Sequence, residues 1–274
     1  MARSRPMLSE EIRETGGIRH LVFNNLADSG VLHCFTLRSG GVSPQPFDTL
    51  NLGLHVGDSP DAVLENRRRL AAALGYKNEL VTTAQQVHTT NVVRVTPKLA
   101  GRGSLSYEDA FPRTDGLLCT EPNIVLMSHC ADCTLLFFYD PKARCIGLAH
   151  AGWRGAVAGM GSVMVEAMEE AGCRRENIRA ALSPCIRPCC YRVGDNVAEE
   201  IEPGMRPHVL TKREGELYFD LPGLQARQLV GAGIREHNLI QSEYCTNCNA
   251  NLFFSYRASG GKTGRMAGVM SIVE

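Results

Sequence analysis

Cys133 and His150 bracket a segment that reads as strand, tight turn and strand, so a thiol and an imidazole stand at comparable ends of neighbouring strands. The apolar runs Leu135–Tyr139 and Cys145–Ala149 are the strands, and Asp140-Pro141-Lys142-Ala143 is the turn between them. Directly after His150 comes Gly152-Trp153-Arg154-Gly155, read as the start of a helix, where backbone N–H groups and an arginine favour an anion. A third candidate, His88, sits in an alternating segment from Ala84 to Val95 that reads as another strand. On residue types alone three readings stand: a metal site beside a phosphate site, a Cys–His catalytic pair, or buried core residues.

The surroundings narrow the class. The chain has 274 residues, enough for a large core, and its 29 basic residues balance 29 acidic ones. No like-charge block suits nucleic acid or a lipid surface, no apolar run reaches the length of a membrane span, and the first residues lack an apolar signal region. The expectation is a soluble cytoplasmic protein whose eleven cysteines are reduced thiols. Two CxxC pairs, Cys130/Cys133 and Cys245/Cys248, imitate a four-thiolate zinc site, but Cys130 and Cys133 point to opposite faces of a strand unless it ends between them. Cys185, Cys189 and Cys190 read as loop and core thiols.

The elements that must position these residues follow from punctuation and period. Residues 1–17 read as a loosely held lead-in. A strand over Val31–Leu37 runs into Arg38-Ser39-Gly40-Gly41, a loop that could cradle an anion. Ser59-Pro60 opens a helix and Gly75 closes it, with Asn66 and Arg67 assigned to its solvated face. Pro97 to Arg113 reads as a surface loop, leading through Thr114-Asp115-Gly116 into a strand over Leu117–Cys119, with a further run at Ile124–Met127. A helix from Gly155 to about Ala171 carries Met160, Met164 and Met168 on one stripe, read as core packing. Ile178–Leu182 is a strand, Gly194–Ile201 and Pro222–Val230 are helices, and Met266–Val273 is the last strand. Short mixed strands without regular βαβ alternation argue for an α+β fold, one domain of mixed sheets covered by helices. GxGxxG, Walker and GxSxG motifs are absent.

Gln86-Val87-His88, Thr114-Asp115-Gly116, Ala131-Asp132-Cys133, His150-Ala151-Gly152-Trp153-Arg154-Gly155, Ser183-Pro184-Cys185-Ile186, Phe254-Ser255-Tyr256-Arg257 and Thr263-Gly264-Arg265 occur in this order. Together they resemble the YfiH/YlmD-like laccase-domain family, described first as multicopper polyphenol oxidases and later as purine nucleoside phosphorylases. The resemblance runs from about Thr36 to the C-terminus. It implies a YfiH-like layered α/β/β/α domain that binds zinc, with copper as the alternative on isolation, through His88, Cys133 and His150. It implies a transferase that cleaves adenosine, inosine and methylthioadenosine with phosphate, and a hydrolase side reaction, adenosine deamination. Its partners would be purine nucleosides and phosphate, in a monomer or small homo-oligomer. Ser183 and Thr89 stand where that family commonly has glycine, and Ala258 replaces a frequent second arginine.

The residue types agree with that implication. Two imidazoles and a thiolate suit zinc, and three protein ligands leave an open position, the mark of a catalytic site. Arg154 is the favoured phosphate anchor, with Arg38 and Asn51 as further substrate or phosphate contacts. Asp132 and Asp115 are the candidate catalytic carboxylates, Asp115 and Asn51 also being candidates for the ribose hydroxyls; for Asp132, support of a ligand is favoured over proton transfer. Three rivals remain: a laccase-like copper oxidase, against which eight histidines count; a metal-free cysteine hydrolase with Cys133 as nucleophile and His150 as base; and a non-enzymatic metal-binding protein.

Overall fold

Nearly unbroken apolar runs form the centre of the molecule, as strands buried on both faces require. A computed structural model describes residues 9–274; the first eight residues of the expected lead-in lie outside the described residues. The rest of that lead-in is a strand: β1 (Glu10–Thr15) pairs antiparallel with β2 (Ile18–Phe23) from Glu10↔Phe23 to Thr15↔Ile18. Backbone pairing needs no apolar side chains, so the polar Glu-Glu-Ile-Arg-Glu-Thr gave no strand signal. There follow β3 (Val31–Thr36), α1 (Pro60–Leu74), β4 (Val81–Thr82), β5 (Val92–Arg94), β6 (Gly116–Cys119), β7 (Val125–Cys130), β8 (Thr134–Asp140) and β9 (Cys145–Ala151). The second half supplies α2 (Trp153–Val157), α3 (Met160–Glu170), β10 (Arg179–Leu182), β11 (Arg192–Val193), α4 (Asp195–Ala198), α5 (Arg206–Val209), β12 (Leu210–Arg213), β13 (Glu216–Phe219), α6 (Leu221–Gly231), β14 (Leu239–Gln241) and β15 (Met266–Ile272).

Two six-stranded mixed sheets result, ordered β1-β2-β3-β15-β7-β4 and β14-β10-β8-β9-β6-β5, beside a small sheet β11-β13-β12 that the sequence reading did not anticipate. Phe23, Phe35 and Met270 of the first sheet pack against Phe137 and Leu148 of the second, so the main core lies between them. On the outer face of the second sheet, Met160, Met164 and Met168 of α3 meet Phe138 and Ala149, with Leu229 of α6 beside them. The methionine stripe is core packing, and a Cβ on Gly147 of β9 would lie 2.9 Å from Met164 Sδ. Leu70 of α1 covers the first sheet at Val81, Met127 and Val269. The fold is therefore α+β, with helices outside two stacked sheets.

Several expectations are corrected. The single helix after Gly155 is two, α2 and α3, because Gly159 takes φ 79 in the left-handed region and breaks the run. The helix expected over Gly194–Ile201 shortens to α4. Asn66 and Arg67 are not solvated: they are 0% and 1% exposed. Arg67 donates to the carbonyls of Leu52, Gly103 and Ser104, and Asn66 accepts from Val42 N–H while donating to Ser43 Oγ and the Thr49 and Asn51 carbonyls. Buried polar groups survive only when hydrogen-bonded, and here their partners are mostly backbone groups of residues 42–52 and 103–104.

Candidate functional site

Asp115 organises the site from the residue before β6. Pairing of Gly116 with Ala149 sets it beside β9, where its carbonyl accepts from His150 N–H at 2.8 Å. Its carboxylate, fully shielded from solvent, accepts from His150 Nδ1 at 2.8 Å and from the backbone N–H groups of Val87, His88 and Thr89 at 3.1, 3.1 and 2.8 Å. Three consecutive amides cannot converge on one carboxylate in a strand, where successive N–H groups alternate in direction. The chain curls instead, and His88 takes φ 63. The strand expected from Ala84 through Val95 is thus only β5, and His88 is presented from a turn.

Cys133 comes from the opposite side. β7 ends at Cys130 and β8 begins at Thr134, so the strand does end between the two CxxC cysteines, at a bend where Asp132 has φ 86. Leu135 is opposite His150 in the β8–β9 register, which brings Cys133 level with the end of β9. One donor atom each from His88, Cys133 and His150 then lies within 4.8 Å of the others. Gly152 leaves room for them: a Cβ there would lie 2.7 Å from His88 Nδ1 and 2.8 Å from Cys133 Sγ.

Electrostatics distinguish the two imidazoles. Burial, reinforced by His150, pushes His88 down to about 4, so its ring is neutral near pH 7. Burial also disfavours charge on His150, but the Cys133 sulfur and the Asp115 carboxylate outweigh it and raise that ring to about 9. Burial opposes ionisation of Asp115 as well, yet His150 and the amides of Thr89 and Val87 hold its carboxyl below the usual range. With Nδ1 engaged by Asp115, His150 Nε2 is the atom left to ligate. Two imidazole nitrogens and one sulfur, gathered to one point and oriented by a carboxylate, fit a borderline-soft cation such as zinc.

The other predicted residues fall in different places. Both Asp132 carboxylate oxygens are taken, one by Thr246 Oγ1 at 2.5 Å and one by Arg257 N–H at 2.7 Å, while its carbonyl accepts from Ile186 N–H at 2.8 Å. It ties two loops to the Cys133 bend, a positioning role. Arg38 lies outside the cavity, paired with Asp48 at 3.0 Å and bonded to the Ala250 carbonyl, and the amides of Gly40 and Gly41 donate to Thr49 Oγ1. The anion cradle expected there is filled by the protein's own groups. Asn51 is buried off the cavity, receiving Arg265 N–H at 2.9 Å and donating to Asp58.

The three donors open into a cavity of about 580 Å³. Arg154 of α2 lies on its wall with its guanidinium 4.2 Å from the Trp153 ring centre, and among the described residues it has no carboxylate partner. Tyr191, Tyr256, Arg257 and Arg265 complete the wall. Sequence reasoning assigned these four no role: Tyr256, Arg257 and Arg265 were visible in quoted motifs, whereas Tyr191 had no signal. Gln86, also in a motif, clamps the His88 turn to β7 by donating to the His129 carbonyl and accepting from its N–H, both at 2.8 Å.

Comparison with known proteins places the chain among relatives. Residues 32–273 match the family model described as multi-copper polyphenol oxidoreductase laccase. The purine nucleoside phosphorylase YlmD of Geobacillus stearothermophilus is 39% identical over 247 residues, 87% of this chain and 89% of its own. The purine nucleoside phosphorylase YfiH of Escherichia coli is 35% identical over 248 residues, 89% of this chain and 95% of its own. The crystal structure of YlmD from Geobacillus stearothermophilus superposes with a TM-score of 0.89 at 35% identity, covering 96% of this chain and 98% of that one.

Proposed function

We propose that this chain, which belongs to the multi-copper polyphenol oxidoreductase laccase family, is a zinc-dependent purine nucleoside phosphorylase acting on adenosine, inosine and methylthioadenosine, with adenosine deamination as a side reaction. The observation that carries the proposal is the convergence of His88, Cys133 and His150 in a cavity that Arg154 and aromatic rings also line. Relatives over most of the chain bear the name purine nucleoside phosphorylase, which supports the same reading.

His88, Cys133 and His150 would hold the ion, which when bound supplies Lewis acidity beside the substrate. The flat faces of Trp153, Tyr191 and Tyr256 suit a purine, since stacking on a π face is available to every base. Arg154, which among the described residues has no carboxylate partner, offers its fork of donors to phosphate, the geometry guanidinium matches best. A phosphate oxygen then bonds to ribose C1′ as the glycosidic C–N bond breaks, and the base leaves with the electron pair and takes up a proton. With phosphate and nucleoside held in one cavity, proximity supplies much of the acceleration. In the side reaction, water replaces the purine C6 amino group, which leaves as ammonia.

One rival keeps a specific observation: His150 raised to about 9 beside Cys133 is what a thiolate–imidazolium nucleophile would show. The oxidase reading loses ground, because among the described residues the only potential metal clusters are this trio and a group of four cysteines, with no histidine-rich set for a trinuclear copper centre. The test is to supply inosine with and without phosphate to metal-loaded and chelated enzyme. Ribose 1-phosphate and hypoxanthine that form only with phosphate, and vanish on chelation or in Cys133→Ala, support the proposal. Cleavage independent of phosphate and metal overturns it in favour of the thiol hydrolase, and phenol oxidation with copper bound overturns it in favour of the oxidase.

A further inference from the structure

Cys245 and Cys248 do not share a site with Cys130 and Cys133; their sulfurs meet those of Cys189 and Cys190. The four Sγ atoms lie within 4.8 Å of one another, with Cys189–Cys248 at 3.6 Å and Cys190–Cys248 at 3.3 Å. We infer that these four cysteines form a second metal site, a closed tetrahedral zinc centre that staples together the two loops forming the aromatic wall of the cavity.

The geometry carries this. Four sulfurs around a zinc ion at Zn–S of about 2.3 Å stand about 3.8 Å apart at the corners of a tetrahedron, and the two separations here lie within half an ångström of that. A disulfide would need two of them at about 2.05 Å, and all four are thiols. A short-spaced pair from each of two loops, Cys-Cys and Cys-x-x-Cys, is how structural zinc sites are built, and an all-thiolate set leaves no open position for substrate.

Backbone pairing brings the loops together before any metal does. β10 and β14 run parallel, and the pairing continues past their ends through a bridge between Cys185 and Cys245, with Thr246 N–H donating to the Cys185 carbonyl at 3.0 Å. Arg187 spans the same gap with its guanidinium on the Ser242 carbonyl. The first loop carries Ile186 and Tyr191 to the cavity, and the second leads to Tyr256 and Arg257. Asp132 gathers both loops through Ile186, Thr246 and Arg257, and the four cysteines join them beside that point, with Cys189 and Cys248 exposed. With little regular structure between Pro184 and Tyr191 or between Ser242 and Leu252, a metal is the device that would fix this wall.

The test counts metal in protein purified under reductant and without chelator: wild type, Cys133→Ala, and Cys245→Ser/Cys248→Ser. The inference expects Cys133→Ala to retain one zinc per chain whose X-ray absorption reports only sulfur neighbours, and the double variant to lose that equivalent. An equivalent that survives Cys133→Ala and is lost in the double variant supports the staple even if wild type holds only that one, an outcome that would count against zinc at His88, Cys133 and His150 instead. Cys133→Ala without zinc, iron in its place, or a mass lower by two hydrogens marking a disulfide among the four would each overturn it. Because Cys133→Ala leaves the staple residues untouched, the inference stays falsifiable if the double variant fails to fold.

Discussion

Replacing Asp115 by asparagine should cost the protein one of its three candidate ligands. The carboxylate offers four lone-pair positions and uses four: Oδ1 accepts from His88 N–H and His150 Nδ1, and Oδ2 from Val87 and Thr89 N–H. Asparagine keeps one acceptor oxygen, so its NH₂ must face two donors whichever way the amide turns. Facing the Oδ1 partners, it forces His150 into the tautomer protonated on Nε2, and the ligating nitrogen is lost. Facing the Oδ2 partners, it leaves two buried amides unpaired, and the turn that holds His88 at φ 63 loosens. Each unpaired donor costs about 1–3 kcal/mol, so the penalty is about 1–3 kcal/mol in the first orientation and about 2–6 kcal/mol in the second, and loss of such a ligand-orienting carboxylate lowers metal affinity roughly tenfold to a hundredfold. The assay is competition against a chromophoric chelator at neutral pH, with circular dichroism confirming that the variant is folded. A folded Asp115→Asn variant that binds zinc as tightly as wild type would refute the reasoning.

Other outcomes follow from the same structure. Gly152→Ala places a methyl against His88 and Cys133 and should abolish metal binding at the trio with little change in far-ultraviolet dichroism; an unchanged metal count there would count against this packing. Because burial pushes His88 down to about 4 while its surroundings raise metal-free His150 to about 9, metal must displace a proton from His150 but not from His88, so affinity should rise at least roughly tenfold per pH unit from neutrality towards about pH 9; a flat profile in the chelator assay refutes it. Arg154→Ala should raise the KM for phosphate by roughly ten- to a hundredfold, the range of a lost charged hydrogen-bond pair, and leave inosine binding measured without phosphate unchanged. His33 is buried, accepts Phe23 N–H at 2.9 Å, and has its imidazole pushed down to about 4 by burial. The folded state therefore favours the neutral ring: this contribution is whole above about 6.5 and fades as pH falls towards 4, costing roughly 3 kcal/mol. Urea titrations across that window should show a shallower loss in His33→Gln.

What could be read from the sequence was local, and what could not was contributed from a distance. Ser59-Pro60 and Gly75 set the ends of α1 because caps act within one turn, and β7 to β9 were visible because strands buried on both faces need unbroken apolar runs. Within the site, the residue types of His88, Cys133 and His150 suggested a metal, but the period-two pattern around His88 hid a turn whose cause is Asp115, 27 residues on. Arg67 and Asn66 have solvent-facing side chains by type, and partners distant in sequence, at residues 42–52 and 103–104, make their burial tolerable. The four-cysteine group was split in the sequence reading because Cys189 and Cys190 lie some 55 residues from Cys245, a gap closed by the parallel pairing of β10 with β14.

The ends of the two large sheets bear on how copies of this chain can meet. Each sheet has two outer strands, and three of these four, β4, β5 and β14, are only two or three residues long, too short to template a neighbour. The fourth, β1, is six residues long, but Glu10 and Glu14 flank Ile12 on one face, so an antiparallel second copy centred on Ile12 would oppose carboxylate to carboxylate there. Among the described residues, growth by strand addition is disfavoured at the borders of both sheets, and crowding or partial unfolding should drive this protein to aggregate once β1 has peeled from β2 and bared the more apolar strand beneath.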